Sequence, residues 1–497
     1  MQNCLGREDR VSRRTVLYGL GALAGQSLLA GCGAASSSGG ATSADVSQPV
    51  PSGPLTQGSV TVSSSSGASI GAGFTGLSYE KGAFSSQPLF AGTNTDLIGM
   101  FKRLGTSLLR IGGNTVDTTV WNASGPGQTS GQVAPADVDG LAAFLQATGW
   151  QCLYGVNLGG AATGATTPAL AAAEVAYAVE TLGSSLYGIE IGNECDLYGS
   201  SYYKNGWTLS EFEALWESFR MAILAAAPGV VLTGPSSASG INYWTTPFGE
   251  YATKKQIALL TQHYYRGAGN DPSSTAAKLV SVDTALPGYC QALQAAAVKI
   301  GIPWRMNETN SFFYGGASGV SDSYASSLWV IDHLATIALN GGAGVNMHGG
   351  GNYTGYTPIA DSNGVVIGAR PEFYGLLMFT LLGQGEMLAT DVSAGGLNVT
   401  AYSVQPNGGG VNILLVNKDS AQNVEASITC GQRVRQATLL EMTGPGLSAI
   451  SGVTIQQASV NADGSFTPGA PYLAPQINGD AVTCYLPALS AVLLQVT

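Results

Sequence analysis

Eight times between residues 74 and 385 a short apolar run gives way to helical periodicity, and that alternation leaves few folds open. The runs fall at 74–80, 107–113, 152–158, 186–194, 230–235, 257–265, 303–307 and 344–348. Strand-helix units repeated eight times within about 310 residues predict an α/β chain closed into a (β/α)8 barrel over 75–385. Local signals agree. Pro135 suits a first helical turn, and Thr208 with Glu211 makes a capping box for a helix over 208–227. The helix between the fifth and sixth strands carries the faintest periodicity.

After Gly385 helical periodicity stops. The stretches 397–404, 411–416 and 481–486 alternate or run apolar between turn residues, which predicts an antiparallel β-sandwich over 386–497. The stretch 58–74, with its Val60-Thr61-Val62, is expected to join it. The first 32 residues read as an address. Arg13-Arg14 precede a short apolar run over 17–30, and Leu29-Ala30-Gly31-Cys32 follows, as in a signal peptide. The arginine pair resembles a twin-arginine export signal. The last four residues resemble a bacterial lipobox, which implies lipidation at Cys32; cleavage without lipid is the alternative. Residues 33–57 are rich in Ser, Gly and Pro without hydrophobic period and are expected to form a tether. Export to the periplasm or cell surface is expected, with membrane contact only through the lipid anchor.

Net charge is −11 and no run of Lys or Arg follows the N-terminus, so nucleic acid and long sulfated polyanions are poor partners. Of seven cysteines, Cys152, Cys195 and Cys290 read as buried thiols, while Cys430 and Cys484 are either a pair or two more. No Cys or His spacing suits a metal, and no metal or organic cofactor is expected.

Two of the eight strands end alike. Ile191-Gly192-Asn193-Glu194 closes the fourth, and Asn307-Glu308 closes the seventh. Carboxyls at the C-terminal ends of barrel strands stand where such barrels carry their chemistry. Two of them suit glycoside hydrolysis. A single strand-end Glu reads more simply as a surface ion pair or a helix-cap neighbour.

Five blocks in order carry a more specific signal: Leu109-Arg110-Ile111-Gly112-Gly113-Asn114, Gly192-Asn193-Glu194, Gln262-His263-Tyr264-Tyr265, Asn307-Glu308-Thr309 with Tyr314-Gly315-Gly316, and Gly351-Asn352-Tyr353. In this order the chain resembles glycoside hydrolase family 79, the β-glucuronidases and heparanases, over residues 75–385 and on into the trailing β domain. The resemblance implies a retaining mechanism, with Glu194 as general acid/base and Glu308 as nucleophile. It implies that Asn193 meets the sugar 2-hydroxyl and that Tyr265 bonds the nucleophile. Glu80 and Asn114 match sugar-binding positions. Gly315, Gly316, Tyr353 and Tyr314 match segments that hold the uronate carboxylate. Arg110 is expected either to keep Glu308 ionised or to pair with Glu190 in the core. His263 is equally a core histidine or a ligand, and His348 is placed to line the pocket. Tyr198, Tyr202, Tyr203 and Trp207 are either a sugar platform or packing against the rim.

The expectation is an exo-β-glucuronidase acting on a glycan or glycoside that bears terminal glucuronic acid. The absence of basic subsites argues for exo over endo action. A β-glucosidase or β-xylosidase on the same barrel, or a non-catalytic carbohydrate-binding lipoprotein, are the alternatives.

Overall fold

A computed structural model describes residues 46–497 apart from Asn205, Tyr353 and Thr354. The expected signal peptide, Cys32, most of the tether and Tyr353 lie outside the described residues. Eight parallel strands close a barrel in chain order: Thr75–Glu80, Leu108–Gly112, Gln151–Val156, Leu186–Ile191, Leu232–Ser237, Ile257–Tyr265, Trp304–Asn310 and Val345–His348. Side chains alternate across each strand. One set, including Leu77, Leu109, Ile111, Tyr154, Ile189 and Met347, packs outward into the main hydrophobic core. The other set faces the axis. Leu108, Leu153 and Leu259 cluster together there. Polar residues such as Arg110, Glu190 and Asn307 follow. The strands are therefore apolar on the helix side and chemically varied on the axis side.

Helices Thr95–Arg103, Pro135–Thr148, Pro168–Leu182, Leu209–Ala226, Leu286–Ile300, Tyr324–Leu339 and Pro371–Leu382 cover the barrel. Pro135 occupies the start of its helix. The Thr208 and Glu211 side chains exchange hydrogen bonds with each other's backbone N–H groups, 3.3 and 2.7 Å. The faint fifth helix is real but short. A π turn over Ile241–Thr245 runs into Thr246–Ala252, too few residues for a clear 3.6-residue pattern.

Eleven further strands form one curled, mostly antiparallel sheet with its own core, including Val60, Ile413, Ile428, Leu439, Val482 and Leu494, and two short two-stranded sheets, Val120–Trp121 with Gln132–Val133 and Ile359–Ser362 with Val365–Ala369, stand apart. The long strand Leu55–Ile70 enters it between Gly385–Ser393, antiparallel, and Asn423–Thr429, parallel. This corrects the tether boundary. The described part, from Val46, is largely exposed but hydrogen-bonded to the sheet: Ser47 bridges Leu473, Leu55–Gln57 pair with Asn423–Glu425, and buried Gln48 donates through its amide nitrogen to Glu441 and to the Tyr485 carbonyl. Composition suggested a free linker, but sheet strands need backbone partners whatever their side chains. Cys430 and Cys484 are separate buried thiols. The register sets Cys484 opposite Ala426 rather than Cys430. Asp332, on Tyr324–Leu339, ties barrel to sheet by accepting from Thr400, Tyr402 and Lys418 at 2.6–2.9 Å. Among the described residues no helix is long and apolar enough to cross a membrane.

Candidate active site

The seventh strand carries a register shift between Met306 and Glu308. A bulge lets consecutive side chains share a face, and here both Asn307 and Glu308 turn to the axis. Asn307 donates to Glu190 and to Ser236. Glu308, 5% exposed, accepts from Arg110 Nη1 through Oε2 at 2.7 Å and from the Tyr265 hydroxyl through Oε1 at 2.9 Å. Burial alone would raise its pKa. His348 and the Arg110 guanidinium oppose burial, and the carboxyl is held well below the ordinary range, so it is ionised.

Arg110 is wholly buried between two carboxylates. Its guanidinium spans Glu308 on one side and Glu190 on the other, at 2.7–2.9 Å. It also donates to Asn193 Oδ1 at 2.8 Å and to Ser236 Oγ at 2.9 Å. Asn193 in turn donates to Asn114 Oδ1 at 3.4 Å. A planar, permanently charged fork can order this many acceptors, which an ammonium cannot.

Glu194 follows its strand in a left-handed conformation, φ +47°, costly for a residue with a side chain. Its N–H donates to the Ser236 carbonyl, which fixes the turn. The carboxyl is more open than that of Glu308 and lies 2.9 Å from His263 Nδ1. Hydrogen counting assigns that contact. Ser236 Oγ already accepts from Arg110 and Asn307, so its own hydrogen goes to His263 Nε2 at 2.7 Å. Nδ1 then carries the imidazole hydrogen and donates it to Glu194. One oxygen of Glu194, one of Glu308 and a His263 nitrogen all lie within 4.8 Å of one another. The trio has the spacing of metal ligands, but hydrogen bonds from His263, Arg110 and Tyr265 already occupy the carboxylates.

The opposite wall comes from the first, second and eighth strands. Glu80 accepts from the N–H groups of Asn114 and Thr115, at 3.2 and 2.8 Å, and so holds the turn that presents Asn114. Gly113 is required there: it has φ +76°, and an added Cβ would lie 2.5 Å from the Glu80 carboxyl. His348 stands between acids, 3.5 Å from Glu80 and 4.0 Å from Glu308. Burial would lower its pKa, but Glu308 and Glu80 raise it above the usual value, which favours the cation. Opposing this, burial would raise Glu80, yet His348 and Thr115 bring it below the usual value.

These groups enclose a cavity of about 490 Å³, of the size that takes a small organic ligand. Glu80, Asn114, Glu194, Tyr265, Glu308, Tyr314 and Gly315 all line it. Asn193 and Arg110 lie beneath, reaching it through their partners. Gly316 stands behind the wall, where an added Cβ would meet Ser321 at 2.7 Å. The aromatic group after the fourth strand packs on itself and the barrel. Trp207 stacks on Tyr203 at 4.4 Å, and the Tyr198 hydroxyl donates to buried Asp117. Sequence reasoning missed Ser236 and Tyr356, and left His263 undecided. His263 shares a strand face with Tyr265, so parity was the available signal. Tyr356, which stacks 6.1 Å from Tyr265, comes from an aperiodic loop that gave none.

No family profile matches the chain. It is 27% identical over 342 residues to a β-glucuronidase of Neurospora crassa, covering 59% of this chain and 60% of that protein. It is 24% identical over 352 residues to a β-glucuronidase of Aspergillus niger, covering 62% and 63%. The matched region thus spans about three fifths of each curated relative. Among solved structures, a 4-O-α-L-rhamnosyl-β-D-glucuronidase from Fusarium oxysporum superposes with TM-score 0.73 at 19% identity, covering 88% of this chain and all of that one. A GH51 arabinofuranosidase from Xanthomonas axonopodis pv. citri reaches 0.63 at 15%, covering 89% and all of that chain. At these identities the structural likeness establishes the (β/α)8 fold with its β domain.

Proposed function

We propose that this protein is a retaining exo-β-glucuronidase of the family 79 type. The observation that carries the reading is two carboxylates with an oxygen of each within 4.8 Å, in opposed surroundings. Retaining glycosidases place their carboxyls roughly 5–5.5 Å apart, too close for a water between them and the sugar. Glu308, ionised by Arg110, attacks the anomeric carbon. Glu194 gives its proton to the glycosidic oxygen as the C–O bond breaks and the alcohol leaves. Water then attacks the glucuronyl ester on Glu308. Glu194 takes the proton from that water, and Glu308 departs as carboxylate. Asn193, held by Arg110, is assigned the 2-hydroxyl.

The glucuronide part of the reading is supported by the two curated relatives and by the cationic tendency of His348 at the pocket wall. Gly315, Gly316, Tyr314 and Tyr353 are assigned to the uronate carboxylate by the family resemblance. The absence of Lys or Arg side chains from the cavity lining, among the described residues, favours exo action over cleavage within a sulfated chain. Export and anchoring through a lipid on Cys32 belong to the same proposal, and incorporation of labelled fatty acid, lost in Cys32→Ser, tests them.

A 2-fluoro-β-glucuronyl inactivator followed by peptide mass spectrometry tests the mechanism. Label on Glu308 is expected, and label on any other residue overturns the assignment. Faster turnover of an aryl β-glucoside than of the matching glucuronide would transfer the reading to a neutral sugar.

A further inference from the structure

The cavity wall divides by chemistry, and the division follows the strands. The ends of the first and eighth strands and the loops after the second and eighth bring the polar Glu80, His348, Asn114 and Asn352, together with the Tyr356 ring. Loops after the fourth, fifth and seventh bring Leu197, Ala238 and Phe313. Leu197 lies three residues past Glu194, its N–H bonded to the Glu194 carbonyl, so one short turn carries both side chains. It is 45% exposed. The polar groups of the neighbouring loop are turned away: Asp196 takes the N–H groups of Ala238 and Ser239 and the Ser239 hydroxyl, each at 3.0 Å. That leaves the Ala238 methyl to face the cavity.

Phe313 is fixed by backbone bonds to Gly267 and Gly269, 2.8 and 2.7 Å. Its ring is 37% exposed. Exposed apolar side chains fixed around a functional cavity mark a surface that gains by being covered.

We infer that the leaving-group side of this cavity is built for a bulky apolar alcohol, aryl or alicyclic, rather than for a further sugar. The inference rests on the proposed glycosidase reading. The group leaving C1 must lie beside Glu194, the proton donor, and there it meets Leu197 and Ala238. These offer a second sugar no hydrogen-bond partner, so its hydroxyls would lose water without replacement. An apolar ring loses only unfavourable hydration.

The test uses three β-glucuronides whose leaving groups are primary alcohols: ethanol, cyclohexylmethanol and the 6-hydroxyl of galactose. A p-nitrophenyl glucuronide serves as activity control. The cyclohexylmethyl compound is expected to exceed the ethyl and galactose compounds in kcat/KM by about tenfold or more, as extra hydrophobic contacts in a fitted pocket do. Leu197→Asn and Phe313→Ala, both at exposed positions, are each expected to shrink that ratio at least about threefold. Equal values, preference for the galactose compound, or a ratio that survives both substitutions overturns the inference. No turnover of the p-nitrophenyl compound by the native protein would sink the glycosidase reading itself, and the inference with it.

Discussion

Arg110 Nη1 and Glu308 Oε2 are 2.7 Å apart at the bottom of the cavity, with the guanidinium entirely out of water. The pairing fixes which form of Glu308 the fold prefers. Its folded pKa lies below the unfolded value, so its stabilisation is present above that unfolded value and is lost as pH falls through the folded one. The acidic limb of kcat/KM, which reports ionisation of the free nucleophile, is therefore expected below the usual Glu range. Arg110→Met should raise that limb by at least about one pH unit, since a neighbouring arginine lowers a carboxylate by one to three. Arg110→Lys, which keeps the charge, should raise it less. A pH–rate profile of the three proteins decides.

Glu194→Ala is expected to lower kcat/KM for alkyl glucuronides by roughly 10²–10⁴-fold, the worth of a positioned general acid. Dinitrophenyl glucuronide, which needs no protonation to leave, should form its enzyme ester at close to the native rate. Azide should then accelerate release and yield the β-glucuronyl azide. Burst kinetics and product NMR check both points. An α-azide product would contradict retention.

His263 donates to Glu194 only because Ser236 fills its other nitrogen. His263→Phe should leave the acid free to swing, with a loss in kcat of roughly 10–100-fold for alkyl glucuronides, the order expected of misplacing a reacting group. Dinitrophenyl glucuronide should lose much less. Equal losses on both substrates would mean that His263 supports the nucleophile instead.

Asp361 is 1% exposed, and burial lifts its pKa to about 6, against hydrogen bonds from the Gly351, Gly364 and Asn352 backbone. A raised carboxyl contributes stability below its unfolded pKa and loses it as pH rises through the folded one. Asp361→Asn should therefore gain on the native protein between pH 4 and pH 6, by on the order of 2–3 kcal/mol at the top of that window. Denaturant unfolding at several pH values measures it.

Directly after the first strand, Lys81 donates to Glu174 at 2.6 Å, both buried. Lys81→Met strands an unpaired carboxylate and should cost about 3–5 kcal/mol, while Lys81→Met with Glu174→Leu should recover much of the loss. Chemical denaturation of the single and double variants is the readout.

Much of the architecture was legible because it is repetitive. Apolar runs on the Leu77, Leu109 and Met347 faces recur with the strand period, and the helices between them announce their starts at Pro135 and Thr208. The short fifth helix and the sheet-bound segment after Val46 were poorly legible, since seven residues hold too few turns to show a period and a backbone partner leaves no trace in composition. Around the cavity, residues at strand ends stood out and residues in loops did not. Tyr356 contributes a ring to the wall from a stretch with no periodicity at all.

The order of residues alone settled that eight strand-helix units would close on themselves, because one apolar face per element can be buried in few ways. It also placed Glu194 and Glu308 at strand ends. Their surroundings were settled only by closure of the barrel. That closure brought Arg110 from the second strand and His263 from the sixth to within hydrogen-bond reach of two acids over a hundred positions apart, with Ser236 from the fifth bridging the two. A bulge of one residue in the seventh strand then turned Glu308 to the axis beside Asn307. Burial and neighbouring charge act through space, so the difference between one carboxylate held ionised and one met by an imidazole hydrogen belongs to the tertiary structure.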